Sequence, residues 1–223
     1  MKILVIGNGG REHALLWKLR RDLPDAQFYI TGGNGGTTSL ATAISISPTD
    51  TAGLAGWAEA NAIDLTVVGP EAPLAEGIAD LFQTRKLPIF GPTRGAARIE
   101  ASKAYAKELM QRAGVPTASF ATFTDAVAAE EYIRAHGAPI VVKASGLAAG
   151  KGAVVCTSVA EALDAMRSML VGNEFGAAGN EVVIESFMQG EEVSVFALTD
   201  GTDVITLLPA QDHKRIGEGD TGP

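Results

Sequence analysis

Short apolar runs alternate with helical patterns through the first hundred residues. The apolar runs are Ile3–Ile6, Gln27–Ile30, Leu65–Val68 and Pro88–Phe90, and the helical patterns between them include Ala58–Ile63 and Leu74–Phe82. Alternation of this kind predicts a parallel sheet with helices on both faces, because each connection must carry the chain back to the same edge. Residues 91–98 contain proline and glycine and are predicted to turn the chain out of this first domain.

The pattern changes after residue 100. A helix that begins at Ala101 carries Lys103 and is expected to stop at Gly114, and a smaller unit of mixed helices and strands follows it. Glycine 137 is placed as the C-cap of one of its helices. The predicted helices of this unit, and the strands expected to begin a third unit, are Ala126–His136, Val159–Leu170, Val193–Leu198 and Val204–Leu208.

A glycine-rich turn follows the buried apolar run that ends at Lys143. Glycines at 146, 150 and 152 allow a sharp turn and a close approach to a ligand, so that backbone N–H groups could point at anionic oxygens. Lys143 and Lys151 add positive charge. The segment therefore predicts a polyphosphate site, although a hairpin with solvated lysines has the same local pattern.

Two apolar runs between residues 182 and 198 are separated by a short polar connection. Glu185 closes the first run and Glu192 opens the second. Carboxylates in such positions suit the hydroxyl or amino groups of a ligand, and the backbone from Glu185 through Phe187 to Met188 could bind the edge of an adenine. An edge hairpin with solvated acids is the alternative.

The N-terminal strand runs directly into glycines and then into a helix, which is the arrangement of an anion site. A dinucleotide fingerprint would place its third glycine where this chain has Glu12, and it would place an acid after the second strand, where Thr31 leads into Gly32 and Gly33. Because both features are missing, a phosphosugar fits this site better than a dinucleotide.

Lys143, the glycine-rich loop and the pattern from Glu185 to Glu192 together resemble the ATP-grasp ligases. The resemblance implies two α+β lobes that clamp ATP, with Lys143 at phosphate, the connection from Glu185 to Met188 at the adenine and Glu192 at the ribose hydroxyls. Lys103 matches a second lysine of that family. The residues expected to bind ATP are Lys103, Lys143, Gly146, Gly150, Lys151, Gly152, Glu185, Phe187, Met188 and Glu192.

Four separated motifs narrow the resemblance to the phosphoribosylamine–glycine ligase family of purine biosynthesis. They are Gly7–His13, Gly33–Thr37, Val67–Leu74 and Gln211–Pro223. The resemblance implies that ATP phosphorylates the carboxylate of glycine and that the amine of 5-phosphoribosylamine then attacks the acyl phosphate. Positioning and neutralisation of charge, with ATP and Mg²⁺ as cofactors, would carry such a reaction without a covalent enzyme nucleophile.

The resemblance also implies which residues hold the substrates. Asn8, Gly9 and Gly10 would surround the 5-phosphate of phosphoribosylamine, and Glu71 would accept hydrogen bonds from its ribose. Without the resemblance, Glu71 could equally be an acid favoured by a helix N-terminus. A C-terminal loop is expected to face the shared substrate site, where its two cations would act on glycine or phosphate. That loop contributes Asp212, Lys214 and Arg215, which a solvated charged loop would also explain.

The combined prediction is an α/β fold in four parts. A Rossmann-like parallel-sheet domain (1–100) is followed by a linker helix (101–117), an ATP-grasp α+β lid lobe (118–188) and the truncated start of a second ATP-grasp lobe (189–223). The chain is about half as long as a typical family member, so the Mg²⁺ ligands are expected downstream of Pro223 and none are predicted before it. Alone, it is expected to bind weakly and turn over poorly, with the missing C-terminal half as a candidate partner.

Composition excludes some functions. The net charge of −8 over 223 residues offers no basic face for nucleic acid, and no apolar run approaches membrane-spanning length. Cys156 is the only cysteine, so an intrachain disulfide is impossible and a reducing, cytoplasmic location is expected. Two other functions stay open: a carboxylase-type ATP-grasp enzyme, and a non-catalytic module that binds nucleotide or phosphosugar.

Overall fold

The computed structural model describes residues 1–148, 150–213, 216–219 and 221–222. The chain divides into two compact units, residues 1–186 and residues 187–223. The larger unit contains two sheets, one formed within residues 1–100 and the other within residues 118–186.

A five-stranded parallel sheet fills the first hundred residues, with strand order β3-β2-β1-β4-β5. Its strands are β1 Lys2–Ile6, β2 Gln27–Thr31, β3 Thr42–Ile44, β4 Leu65–Val68 and β5 Ile89–Phe90. The helices that accompany it are α1 Gly10–Asp22, α2 Thr51–Ala60, α3 Glu71–Ala75, α4 Ile78–Thr84 and α5 Arg94–Ala101. Because the strands are parallel, the loops that follow β1, β2 and β4 meet at one edge.

Both faces of this sheet are buried, as the run of apolar residues in β1 predicts. Leu4 and Ile6 pack in one core with α2 and α4, whereas Ile3 and Val5 pack in another core with Leu16 of α1. Successive side chains of a strand point to opposite faces, so four consecutive apolar residues require cover on both sides. The predicted parallel sheet with two covered faces is confirmed.

Several boundaries differ from the predictions for local reasons. Helix α2 begins at Thr51 because the Asp50 carboxylate accepts the Gly53 N–H, so the expected helix at Ala58–Ile63 starts seven residues too late. The helix expected at Leu74–Phe82 is divided into α3 and α4 around Gly77, which has φ of 92°. Residues 91–98 were expected to be a turn, yet α5 begins at Arg94. The three-residue β3 was not predicted.

The second sheet of the larger unit is four-stranded and antiparallel, with strand order β6-β9-β7-β8. Its strands are β6 Phe120–Phe123, β7 Ile140–Ala144, β8 Ala153–Cys156 and β9 Val182–Ser186. Helix α6 Lys103–Ala113 precedes the sheet, and α7 Ala126–His136, α8 Val159–Leu170 and a 3₁₀ turn at Gly176–Gly179 accompany it. Helices α7 and α8 have the predicted bounds, and α6 stops before its C-cap Gly114 as predicted. The predicted start of α6 at Ala101 is wrong: α5 ends there, and α6 begins at Lys103 because the Ser102 hydroxyl caps it by accepting the Tyr105 N–H.

The two faces of this sheet have different partners. Ile140, Val142 and Ala144 of β7 point into a core formed with α7 and α8. Lys143 alternates with them and therefore lies on the other face, where Glu185 of β9 and helix α6 also lie. The charged residues of β7 and β9 thus share the face that the α7/α8 core leaves uncovered.

Residues 187–223 form the smaller unit. Within it, β10 Ala197–Thr199 pairs antiparallel with β11 Val204–Thr206. Both strands are shorter than predicted, since residues 193–196 and 207–208 lie outside them. The Asp200 carboxylate accepts the N–H groups of Asp203 and Thr202 across the turn, and these bonds lower the pKa of its carboxyl group.

No helix in the described part of the chain combines the length and apolar character needed to cross a bilayer.

Replacing the helix cap at Asp125 tests whether local capping sets the bounds of α7. The Asp125 carboxylate accepts the Ala128 N–H at 2.9 Å, so Asp125→Ala should lower the free energy of unfolding by about 1 kcal/mol. Urea unfolding gives the value. The control is Asp164→Ala on the exposed side of α8, where alanine has the higher helix propensity and no loss is expected. Equal effects of the two changes would contradict the capping role.

Candidate functional site

A cluster of three lysines and one carboxylate lies between α6 and the antiparallel sheet. Glu185 is 4% exposed, and its Oε2 accepts hydrogen bonds from Lys143 Nζ at 2.9 Å and pairs with Lys107 Nζ at 3.1 Å. Lys103, the first residue of α6, donates from Nζ to the carbonyl of Gly146 at 3.1 Å. Three cations against one anion give these four side chains a net charge of +2, so the cluster favours an anionic ligand.

The Lys103 ammonium group is partly buried in this setting. Partial burial is the largest effect, and it lowers the pKa of this ammonium group. The negative charges of Glu100 and Glu185 raise the pKa, whereas the positive charge of Lys143 lowers it further. The positive charges of Lys103 and Lys143 repel each other. An anion between them would relieve that repulsion.

Close packing and internal hydrogen bonds determine the conformation of the described part of the glycine-rich loop. The Gly146 N–H is donated to the carbonyl of Ala178, and a Cβ on Gly146 would lie 2.6 Å from the Ala178 Cα. The Lys151 N–H is donated to Ala148, and Gly150 adopts a φ of 77° that glycine favours. Gly146 therefore provides a close approach rather than a donor, and the Lys151 side chain is exposed.

Three glycine loops meet at the carboxyl edge of the parallel sheet. They are residues 7–10 after β1, residues 32–37 after β2 and residues 69–71 after β4. The Asn34 side chain donates from Nδ2 to the carbonyl of Asn8 at 2.7 Å, which ties the first two loops together. The predicted phosphosugar residues Asn8, Gly9, Gly10 and Glu71 therefore come from neighbouring loops.

Glu12 lies buried beneath two of these loops, with 3% of its surface exposed. Its Oε2 accepts the Gly9 N–H at 2.7 Å, and its side chain packs so closely against Gly7 and Gly69 that a Cβ at either position would overlap it. The Gly9 N–H is consequently engaged within the protein. Gly9 is the N-cap residue in the turn after β1, and helix α1 begins at the next residue, Gly10.

Glu71 is the first residue of α3 and is paired with Arg11 of α1 at 3.1 Å. A backbone hydrogen bond at its own helix terminus is the main cause of the lowered pKa of its carboxyl group; partial burial opposes this, and Arg11 lowers it further. Glu71 is thus an ionised acceptor beside a guanidinium. His13, the last residue of the Gly7–His13 motif, packs against Gly36 so tightly that a Cβ there would overlap its ring.

The other predicted site residues belong to the smaller unit or lie outside the described residues. Phe187, Met188, Glu192 and Asp212 are exposed residues of the smaller unit. Lys214 and Arg215 lie outside the described residues. Glu185 was expected to end an apolar run and to offer its carboxylate or its backbone to a ligand. It lies inside β9 between β6 and β7, and its side chain is buried.

The described residues contain no group of three or more histidine, cysteine, aspartate or glutamate side chains that could hold a metal ion. We therefore assign no metal ligand to them.

Two buried charged residues were missed by the sequence reasoning, and each had a signal. Lys107 follows Lys103 by four positions on α6, a spacing that places both on one face of a helix. Glu12 follows Gly9 by three positions, the spacing at which a carboxylate reaches back to the N-cap N–H. Both signals are weak, because the same spacings occur on solvated helix surfaces.

Changing Gly69 to alanine tests the packing beneath the glycine loops. The new Cβ would overlap Glu12 Oε1 and force the carboxylate away from the Gly9 N–H, so Gly69→Ala should lower the free energy of unfolding by about 1–3 kcal/mol. The matched control is Gly56→Ala inside α2, where a Cβ meets nothing within 4 Å and a gain of about 0.5–1 kcal/mol is expected. Chemical denaturation measures both; a neutral Gly69→Ala would contradict the proposed packing.

Comparison with known proteins adds a family to this geometry. Residues 1–100 match the family model described as phosphoribosylglycinamide synthetase, N domain, and residues 101–223 match the one described as phosphoribosylglycinamide synthetase, ATP-grasp (A) domain. A phosphoribosylamine–glycine ligase from Nostoc sp. is 56% identical over 224 residues, and one from Vibrio cholerae is 49% identical over 225. Each alignment covers 100% of this chain and 52% of the relative, so the chain spans about half the length of these relatives.

The comparison with solved structures agrees with the family match. A phosphoribosylamine–glycine ligase from Thermotoga maritima has a TM-score of 0.82 at 29% identity, covering 100% of this chain and 53% of that one. The biotin carboxylase domain of 2-oxoglutarate carboxylase from Hydrogenobacter thermophilus has a TM-score of 0.74 at 22% identity, covering 93% and 49%, and shares the fold alone. With both halves of the chain matched in order, the chain belongs to the phosphoribosylglycinamide synthetase family.

Proposed function

We propose that this chain carries the ATP-binding and phosphosugar-binding parts of an ATP-dependent carbon–nitrogen ligase. The reaction joins glycine to 5-phosphoribosylamine and gives glycinamide ribonucleotide, ADP and phosphate, a step of purine biosynthesis in the cytoplasm. The names of the family and of relatives that are 49–56% identical support this proposal.

The chemistry of this reaction places clear demands on a protein. A carboxylate oxygen of glycine attacks the γ-phosphorus of ATP, and the bond to the leaving ADP breaks. The amine of phosphoribosylamine then attacks the carbonyl carbon of glycyl phosphate, loses a proton and expels phosphate. Negative charge accumulates on the phosphoryl group and on the carbonyl oxygen during these steps. The site must therefore align the reacting groups and neutralise that charge.

The lysine cluster is the observation that carries the proposal. In a chain with a net charge of −8, Lys103, Lys107 and Lys143 converge beside a glycine-rich loop with one carboxylate among them. Local positive charge of this kind suits the triphosphate of ATP, and Lys103 and Lys143 are the two cations that could reach it. Gly150, which has open space at its Cβ position, would let the backbone approach the phosphates closely. Gly146 and Gly152 would support the loop by close packing, and Lys151 would add charge at the rim.

The phosphosugar proposal rests on the loops at the carboxyl edge of the parallel sheet. The N-terminus of α1 at Gly10 offers a helix dipole to the 5-phosphate, and Asn8 lies in the same loop. Glu71, held as a carboxylate by its own helix terminus, would accept hydrogen bonds from the ribose hydroxyls. In this arrangement Arg11 either shares Glu71 with the ribose or moves to the phosphate.

The remaining assignments rest on the family match alone. Phe187, Met188 and the backbone that follows Glu185 would meet the adenine, and Glu192 would meet the ribose of ATP. Asp212, Lys214 and Arg215 would act on glycine or its phosphorylated form. Mg²⁺ is expected to accompany the nucleotide, and MgADP in the biotin carboxylase domain from Hydrogenobacter thermophilus supports this.

Glycine and 5-phosphoribosylamine are the proposed substrates. The half of the relatives that this chain does not span is the proposed partner of these residues, and the 52% coverage of those relatives supports it.

Removing the Lys143 ammonium tests the ATP assignment. Lys143→Met should weaken ATP binding by about tenfold or more, since a hydrogen bond between charged groups contributes about 1.5–3 kcal/mol. NMR titration of the chain with ATP measures even weak binding. The matched control is Lys86→Met, an exposed lysine distant from the cluster in sequence, which should bind ATP as the unmodified chain does.

If Lys143→Met and Lys86→Met bind ATP equally well, the lysine cluster is not the triphosphate site. Ribose 5-phosphate provides a second control. Its affinity for the loops of the parallel sheet should be the same in Lys143→Met as in the unmodified chain.

A further inference from the structure

Two lysines share one oxygen of the buried Glu185 carboxylate, but their surroundings differ. The side chain of Lys107 is 9% exposed, whereas that of Lys143 is 28% exposed. Lys107 comes from α6, on one side of the carboxylate, and Lys143 comes from β7, beside the glycine-rich loop. Of the two, only Lys143 has an open path toward a ligand.

Lys107 is held by more than the carboxylate. Its Nζ donates to the Thr117 hydroxyl at 2.6 Å and lies 5.7 Å from the centre of the Phe120 ring. A buried ammonium with a hydroxyl, a carboxylate and an aromatic face around it has little reason to move. The Lys107 ammonium is therefore a fixed charge.

A buried carboxylate needs a cation at all times. If Lys143 were the sole partner of Glu185, binding of its ammonium to a phosphate would leave an uncompensated charge at a site that is 4% exposed. Such a charge is strongly unfavourable in a protein interior. With Lys107 in place, Glu185 stays paired whether Lys143 stays or leaves.

We propose that Lys107 is the resident counter-ion of Glu185, a positioning residue that allows Lys143 to transfer its ammonium group from the carboxylate to a phosphate of the nucleotide. This inference rests on the proposed ATP site. In the absence of nucleotide, Glu185 holds Lys143 extended on the open face of the sheet. When phosphate arrives, Lys143 exchanges one anion for another, and Lys107 keeps the carboxylate neutralised.

Inorganic tripolyphosphate tests the exchange without contributions from adenine or ribose. We expect Lys107→Met to bind it about tenfold more weakly than the unmodified chain, because Lys143 must then remain with Glu185. Glu185→Gln should bind it at least as tightly, since no carboxylate competes for Lys143. The double change Lys107→Met with Glu185→Gln should return to about the original affinity. NMR titration gives the dissociation constants, and Lys86→Met is the matched control.

A second readout separates exchange of partners from a general effect of charge. The side-chain NMR signals of the lysine ammonium groups should show Lys143 responding to tripolyphosphate while Lys107 does not. A purely structural Lys107 would lower stability in Lys107→Met but would leave the affinity of the folded protein unchanged. If Lys107→Met does not fold, the affinities of Glu185→Gln and of the double variant still test the inference. The double variant should fold, because it lacks both the buried ammonium and the buried carboxylate.

The outcomes separate the two proposals. If the unmodified chain binds tripolyphosphate and Lys107→Met binds it equally well, the inference about Lys107 is wrong and the ATP site stands. Weaker binding by Glu185→Gln, or a double variant as weak as Lys107→Met, also overturns the inference. If the unmodified chain binds no tripolyphosphate at millimolar concentration, both proposals fail.

Discussion

A single buried carboxylate connects the elements that form the lysine cluster. Glu185 of β9 is paired with Lys143 of β7 and with Lys107 of α6, all through one oxygen. The same helix is fixed at its first residue, where the Lys103 N–H is donated to Ser145 and its ammonium group to Gly146. These contacts position α6 over the face of the antiparallel sheet that carries Lys143, and the approach of the three ammonium groups follows from them.

The parallel sheet uses a buried carboxylate for a comparable purpose. Glu12 holds the Gly9 N–H and fills the space that glycines leave at positions 7 and 69. Within the described residues, one oxygen of Glu12 and one of Glu185 lack a hydrogen-bond partner. In both places a buried carboxylate determines which neighbouring donors or cations are engaged and which remain available to a ligand.

Much of this fold could be predicted from sequence where local signals are strong. Helices α7 and α8 have caps at Asp125 and Ser158 and regular apolar spacing, and their bounds agree with prediction. The predictions were wrong where elements are short or where a cap overrides composition, as at β3, α2 and α5. Lys143 and the glycine-rich loop stood out because glycine and lysine interrupt a buried run.

The buried charges could not be predicted in the same way. Patterns of polarity treat a lysine or glutamate as exposed. Lys107 is buried because the distant Glu185 pairs with it, and Glu12 is buried because Gly69, distant in sequence, leaves room for its side chain. The adenine and glycine assignments, which depend on residues 187–223, stay predictions. Lys214 and Arg215 among them lie outside the described residues.

The most direct test of the account is a crystal structure of the protein with a non-hydrolysable ATP analogue. We expect Lys103 Nζ and Lys143 Nζ both to lie within hydrogen-bonding distance of phosphate oxygens, at about 2.7–2.9 Å. Lys107 should still be paired with Glu185 in that structure. A triphosphate bound elsewhere, or one bound while Lys143 remains on Glu185, would contradict the central claim that this cluster is built to receive the phosphates.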